Sequence, residues 1–350
     1  MIENPNLEIG LTHVKEQVSS YLDAGIRETS QLYGGLNNRV FKVTSEDNRS
    51  FILKLYFKDE RRRLQRESGA YEFLRKNGIE DVPKVFFKNE QDYFALYSFE
   101  DGSKKTGADL TIPDLDLILS FITRVQEFKH TSQVSNDVGD ALFSTRSLIE
   151  VVNGPILFRI KEFEKYIKSP NVNSKTREFE KNSDISKITR ARLSKIESNA
   201  ISNEKLYYQI DPSQIRLSPV DFGPQNMIFR KSGSICFIDF EYFGWDDPVK
   251  LIPSFLTHEA TKGLTPEKQA YFIGKYRNIS SVPQNILDRL DVTLQVSALN
   301  WITVLLWGFT PEKINSRRYS DANFDENTYV DHLINEITRR VELLDNLDSK

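Results

Sequence analysis

The chain has 350 residues, 39% of them hydrophobic and 28% charged, with a formal net charge of −3. That length is ample for one large domain or two lobes, and so mild an acidic balance argues against a nucleic-acid binder. One cysteine, Cys236, and four scattered histidines exclude a disulfide framework and offer no zinc set. The opening MIENPNLEIG has neither a basic n-region nor an apolar h-region, so a cytoplasmic protein without a signal peptide is expected.

The first hundred residues read as strands. Glu28–Tyr33, Arg39–Thr44 and Phe51–Phe57 are three candidates, punctuated by Gly34-Gly35 and by Ser45–Ser50. Arg61–Lys76 reads as a helix that stops at Gly78, and Lys84–Lys88 with Tyr93–Phe99 as a hairpin across Asn89–Asp92. The basic run Arg61-Arg62-Arg63-Arg66 reads as the solvated face of that helix. Lys54 sits in a strand whose neighbours are all apolar or aromatic, and a buried ammonium is costly unless paired. Glu67 falls on the apolar stripe of the helix with Leu64, Tyr71 and Leu74. Pairing Lys54 with Glu67 explains both positions; the alternative is a snorkelling lysine and a rim glutamate. Gly34, Gly35 and Asn37 lie in a loop whose glycines allow close backbone approach to phosphates, although a two-glycine hairpin is usually only a turn.

From Thr111 onward helical periodicity takes over. Leu115, Ile118, Leu119, Ile122, Val125 and Phe128 keep one stripe, with Pro113, Asp114 and Asp116 suited to its first turn. A further helix is expected over roughly Leu148–Ile167. Lys168–Glu204 is polar and charge-rich, with weak periodicity at Ile185, Ile188, Leu193 and Ile196, which suggests a mobile helical insertion. Leu294–Phe309 is the most apolar helix candidate; it is short for a membrane span and contains Gln295, Ser297 and Asn300, so it reads as buried and no membrane association is expected.

Leu217–Pro248 carries the most information. Met227–Arg230 and Ile235–Ile238 read as strands joined by Lys231–Ser234, with Ser232-Gly233 at the tip. Pairing about that tip sets 230 opposite 235, 227 opposite 238 and Asn226 opposite Asp239, with Asp221 five residues upstream. Oxygen ligands on a rigid support, with room for water and phosphate, are what a magnesium–nucleotide complex requires. Glu241, Asp246 and Asp247 extend the acidic run with no basic residue among them. Helix capping accounts for Asp246 and Asp247; the surplus would also suit a cationic acceptor, on which Trp245, Trp301 and Trp307 could stack. Trp301 and Trp307 equally suit the core of an apolar helix.

This D-x-x-x-x-N followed by I-D-F, flanked by FGPQN and FEYFGWDDP, resembles the aminoglycoside phosphotransferase and choline kinase family of the protein-kinase-like fold. The resemblance implies an α+β protein of two lobes. Residues 1–98 would form a nucleotide-binding lobe, a five-stranded antiparallel sheet with one helix; residues 99–350 would form a mostly helical catalytic and acceptor lobe, with 168–204 as a polar helical insertion. The implied reaction moves the γ-phosphoryl group of ATP to a hydroxyl of an amino sugar, a sugar or an amino alcohol. In that resemblance Asp221 takes the base position, and Asn226 and Asp239 take the Mg2+ positions, with Glu241 as a further candidate. Lys54 and Glu67 form the phosphate-positioning pair, and Gly34, Gly35 and Asn37 match the family's GG-x-[ST/N]-N loop. Tyr97, Ser98 and Phe99 stand, by position alone, at the adenine hinge. One departure is Pro219, where the family usually has a histidine that braces the loop. It supports a second reading, a nucleotide-binding pseudokinase; a non-nucleotide α+β interaction protein is a third. Asp239-Phe240 is followed by Glu241 and no A-P-E appears downstream, so the acceptor is expected to be a small molecule rather than a protein, entering a cleft of the helical lobe with 168–204 as a lid.

Overall fold

The computed structural model describes residues 11–32, 38–58, 60–130, 152–202, 212–279, 282–320 and 324–348. The chain divides into two compact units: Met1–Ser144 with Pro212–Pro248 and Lys262–Phe272, and Thr145–Asp211 with Val249–Thr261 and Ile273–Lys350.

The first unit is built on an antiparallel sheet of β1 (Ile26–Leu32), β2 (Arg39–Ser45), β3 (Ser50–Leu55), β4 (Val85–Asn89) and β5 (Phe94–Ser98), in the order β1-β2-β3-β5-β4. The expected five strands are all present. One face is covered by helix α1 (Leu11–Leu22), whose Val14, Val18 and Leu22 pack on Phe41, Val43, Phe51, Leu53, Phe94 and Leu96. Side chains alternate along a strand, so Phe51 and Leu53 of β3 meet that cluster while Lys54 points to the other face. There helix α2 (Arg63–Lys76) is inserted between β3 and β4. It ends as expected: Gly78 has φ 81, a left-handed cap, and Ile79 N–H donates to the Leu74 carbonyl at 2.9 Å.

Five short strands follow: β6 (Gly102–Ser103), β7 (Arg216–Ser218), β8 (Met227–Arg230), β9 (Ile235–Phe237) and β10 (Gly244–Asp246). They form a sheet of order β6-β8-β9 and a β7-β10 pair. Because β6 pairs with β8, the expected lobe break at 98/99 falls inside the first unit. Helix α3 (Ile112–Gln126) opens with a Thr111/Asp114 capping box and lays Phe121 on Phe237 of β9, with ring centroids 3.8 Å apart.

The β8–β9 hairpin corrects the expected register by one residue. Met227 pairs with Phe237, Ile228 with Cys236 and Phe229 with Ile235, and the Ile238 N–H donates to the Asn226 carbonyl at 2.9 Å. Asn226 therefore stands opposite 238, not 239. The loop holds three residues rather than four: Arg230 N–H donates to Ser234 O, Gly233 N–H donates to Arg230 O, and Gly233 has φ 85. A glycine in the left-handed region at the third loop position makes the bulged three-residue hairpin.

The second unit is helical. Its main elements are α4 (Leu157–Ile167), α5 (Ser174–Ser183), α6 (Ile185–Ser202), α7 (Leu251–Thr257), α8 (Leu290–Gly308) and α9 (Glu326–Asp348). The helix expected from Leu148 begins at Leu157, after a π-turn at Val152–Ile156 that contains Pro155; 148–151 lie outside the described residues. The polar stretch expected to be a mobile insertion is instead tied to the core. Ile185 joins Phe163, Ile302, Leu306 and Ile337, while Leu193 and Ile196 join Ile160 and Leu299. Its sparse apolar positions are one helix face each, which is all that burial requires. A lid role finds no support in that packing. Gln284–Gly308 is long and apolar enough to cross a membrane, but more than half of its most apolar stretch is buried within the unit, as befits a central core helix.

Candidate active site

The described catalytic, metal and nucleotide candidates lie in the first unit. Lys54 and Glu67 are 7% and 2% exposed, and the Lys54 ammonium lies 2.6 Å from Glu67 Oε2. It lies equally close, 2.6 Å, to Asp239 Oδ1. Burial opposes the charge on Lys54, but the Asp239 and Glu67 carboxylates outweigh it and hold the ammonium above its usual range. Burial pushes the Glu67 carboxyl up, with Lys54 opposing. Glu67 accepts two further bonds, from Tyr56 OH on Oε2 and Tyr71 OH on Oε1, each at 2.8 Å. Tyr56 OH also meets Tyr97 OH at 2.6 Å.

Asp239 has left the β9 ladder. Its φ is 66, so strand alternation no longer sets its side-chain direction, and its backbone N–H donates to Tyr71 OH at 2.8 Å. The side chain is 39% exposed, which keeps a carboxylate edge open to a ligand while Lys54 holds Oδ1.

The loop carrying Asp221 follows β7. Asp221 N–H donates to the Pro219 carbonyl at 2.8 Å and Val220 has φ 64, the signature of a tight γ-turn centred on Val220. Ser218 Oγ accepts from Val220 N–H at 3.1 Å. These bonds shape the loop where Pro219 replaces the expected histidine. Downstream, Pro224–Asn226 form a 3-10 turn, and Asn226 Nδ2 donates to the Asp221 carbonyl at 3.0 Å, so this bond uses the amide nitrogen and not Oδ1. Gln225 Nε2 reaches Asp221 Oδ1 at 3.4 Å, and Lys104 donates to the Gln225 carbonyl.

The remaining candidates diverge from this cluster. Glu241, 3% exposed, accepts from Asn38 Nδ2 at 2.6 Å and lies 3.6 Å from Arg63 Nε, so its carboxylate is committed within the protein. Arg63 is itself 3% exposed, against its reading as part of a solvated face, and lies beside the Glu241 carboxylate. At the position expected for the hinge, the Tyr97 side chain points into the tyrosine cluster, Ser98 Oγ accepts from Lys84 N–H and donates to Glu100, and Lys42 covers the Phe99 ring at 4.2 Å. Gly34, Gly35 and Asn37 lie outside the described residues. Trp245 is buried, and among the described residues its indole N–H has no hydrogen-bond partner. Trp301 and Trp307 are half-buried in the second unit beneath the protein's own cations, Arg340 at 5.5 Å and Lys313 at 3.8 Å.

Among the described residues no cluster of three or more His, Cys, Asp or Glu could hold a metal. The register slip removes the expected cross-strand pairing of Asn226 with Asp239, so the case for a metal rests on donor chemistry alone: one carboxylate on Asp239 and one amide oxygen on Asn226. That set suits Mg2+, which keeps several waters and is usually bound through one or two carboxylates plus substrate phosphates. Asn38, Tyr56, Arg63 and Tyr71 take part in the site's bonding without having been singled out by sequence. Asn38 alone carried a signal, as the last residue of the glycine loop; a tyrosine on an apolar stripe looks like core.

The choline/ethanolamine kinase family model matches residues 29–333. No curated protein matches the chain by sequence. Among solved structures, spectinomycin phosphotransferase in complex with ADP and spectinomycin is 15% identical, with a TM-score of 0.64 over 93% of this chain and 98% of its own. Plasmodium vivax ethanolamine kinase is 17% identical, with a TM-score of 0.59 over 97% and 89%. The choline kinase LicA from Streptococcus pneumoniae is 16% identical, with a TM-score of 0.56 over 97% and 99%. At such identities these likenesses show a shared protein-kinase-like fold.

Proposed function

Because the chain belongs to the choline/ethanolamine kinase family and is thus a small-molecule kinase, we propose that it transfers the γ-phosphoryl group of ATP to a hydroxyl of an amino sugar, a sugar or an amino alcohol in the cytoplasm. The observation that carries this reading is the Lys54 ammonium bridging Glu67 and a half-open Asp239 at 2.6 Å each. A lysine so held is a fixed positive charge for the nucleotide phosphates. Asp221, at the exit of a constrained turn, orients the acceptor hydroxyl and takes its proton. Asn226 and Asp239 would hold Mg2+, whose charge offsets that of the β- and γ-phosphates. Glu241 is left out of the metal set and anchors Asn38 and Arg63 instead.

The pure protein, given ATP, Mg2+ and a panel of hydroxylated amines and sugars, should turn over at least one of them and should label no generic protein substrate. Asp221→Asn should lower that turnover by roughly 10²–10⁴-fold, the usual worth of a positioned base, while the Mg–ADP shift in Tm persists. A wild-type chain that binds Mg–ADP but turns over nothing would favour the pseudokinase reading, for which Pro219 is the specific observation. Efficient phosphorylation of protein would sink the acceptor class.

A further inference from the structure

We propose that Tyr71 is a positioning residue for the Mg–nucleotide: its hydroxyl closes a ring of four polar groups that holds Asp239 in its working conformation. This rests on the functional reading above. The ring runs from Asp239 N–H to Tyr71 OH at 2.8 Å, from Tyr71 OH to Glu67 Oε1 at 2.8 Å, from Lys54 Nζ to Glu67 Oε2 at 2.6 Å, and from Lys54 Nζ back to Asp239 Oδ1 at 2.6 Å. Asp239 is thus gripped twice, at its backbone through Tyr71 and at its carboxylate through Lys54. Asp239 holds φ 66, in the left-handed region that few non-glycine residues adopt, and the tyrosine hydroxyl fixes its backbone N–H there.

The hydroxyl is also well used as chemistry. It accepts one hydrogen bond and donates another, the full capacity expected of a phenol 1% exposed. The ring is held separately by packing, edge-on to Tyr97 and tilted on Phe240, each at 5.4 Å between centroids. Removing the oxygen alone therefore leaves the ring in place and frees Asp239 at its backbone. Tyr56 provides the contrast, since it donates to the same carboxylate but makes no bond to Asp239.

The test is a magnesium titration read by thermal shift with ADP, needing no turnover. Wild type should show a Tm rise with ADP that depends on Mg2+. Tyr71→Phe should unfold cooperatively and need at least fivefold more Mg2+ for half of that rise, a larger shift than that of Tyr56→Phe, which loses a bond to Glu67 but none to Asp239. An unchanged midpoint in Tyr71→Phe, with a normal wild-type response, overturns this inference alone. Equal shifts in both variants would assign the effect to Glu67 and overturn it as well. A Tyr71→Phe chain that fails to fold would show the hydroxyl to be structural. No Mg-dependent response in wild type would remove the functional reading itself, and this inference with it.

Discussion

Val220 is the least comfortable residue near the site. It is β-branched, it sits at φ 64, and a γ-turn closes around it. Strain of this kind costs about 1–3 kcal/mol and persists where the neighbouring structure enforces it. Val220→Gly should relieve the strain, leaving Tm unchanged or raised in calorimetry, while phosphoryl transfer falls about tenfold because Asp221 is no longer aimed. A variant both less stable and fully active would show the turn to be incidental. At Lys54 and Glu67 the two truncations should differ. Glu67→Ala takes the acceptor from Lys54, Tyr56 and Tyr71 together and leaves a buried ammonium with Asp239 alone. Such one-sided breaks cost about 3–5 kcal/mol, so urea unfolding should shift accordingly. Lys54→Met should lose ATP turnover with a smaller loss of stability, because Tyr56 and Tyr71 still serve Glu67 and methionine suits the strand.

The elements were legible in proportion to how strongly each was over-specified. Lys54 and Glu67 could be paired from sequence because opposite charges in apolar patterns have few other solutions. The β8–β9 hairpin was legible as a hairpin, yet its register was not. Ser-Gly fits a three- or a four-residue loop, and the choice turns on Gly233 taking φ 85. Helix α1 escaped notice because only Val14, Val18 and Leu22 carry its buried face. Tyr71 and Arg63 were misread for one reason: each has a partner distant in sequence, Asp239 and Glu241, that local pattern does not reveal. Gly233→Ala should cost about 1–2 kcal/mol, the penalty for a Cβ in the left-handed region. Lying at the hairpin tip, it should leave the magnesium midpoint for ADP unchanged; a large shift would mean that the turn communicates with the open end.

At the scale of the whole molecule, each compact unit is assembled from three separate stretches of chain. The first unit holds Lys54, Glu67, Asp221, Asn226 and Asp239, yet it is interrupted by 145–211 before the last three appear. A chain ending at residue 211 should therefore show neither cooperative unfolding like that of the full protein nor any Tm response to Mg–ADP; an intact response would place nucleotide binding wholly in the N-terminal sheet. The same discontinuity sets a timetable at the ribosome. Lys54 and its partner Asp239 are 185 residues apart. At about 5–20 residues per second, roughly 10–40 s separate their synthesis. Through that interval the emerging lysine has Glu67 as its sole available carboxylate of the pair, and the nucleotide cannot serve as a template for the early fold. Nascent chains arrested at increasing lengths should gain protease resistance in the N-terminal sheet well before ADP adds any further protection, so the ligand acts on this protein only as a late-stage clamp.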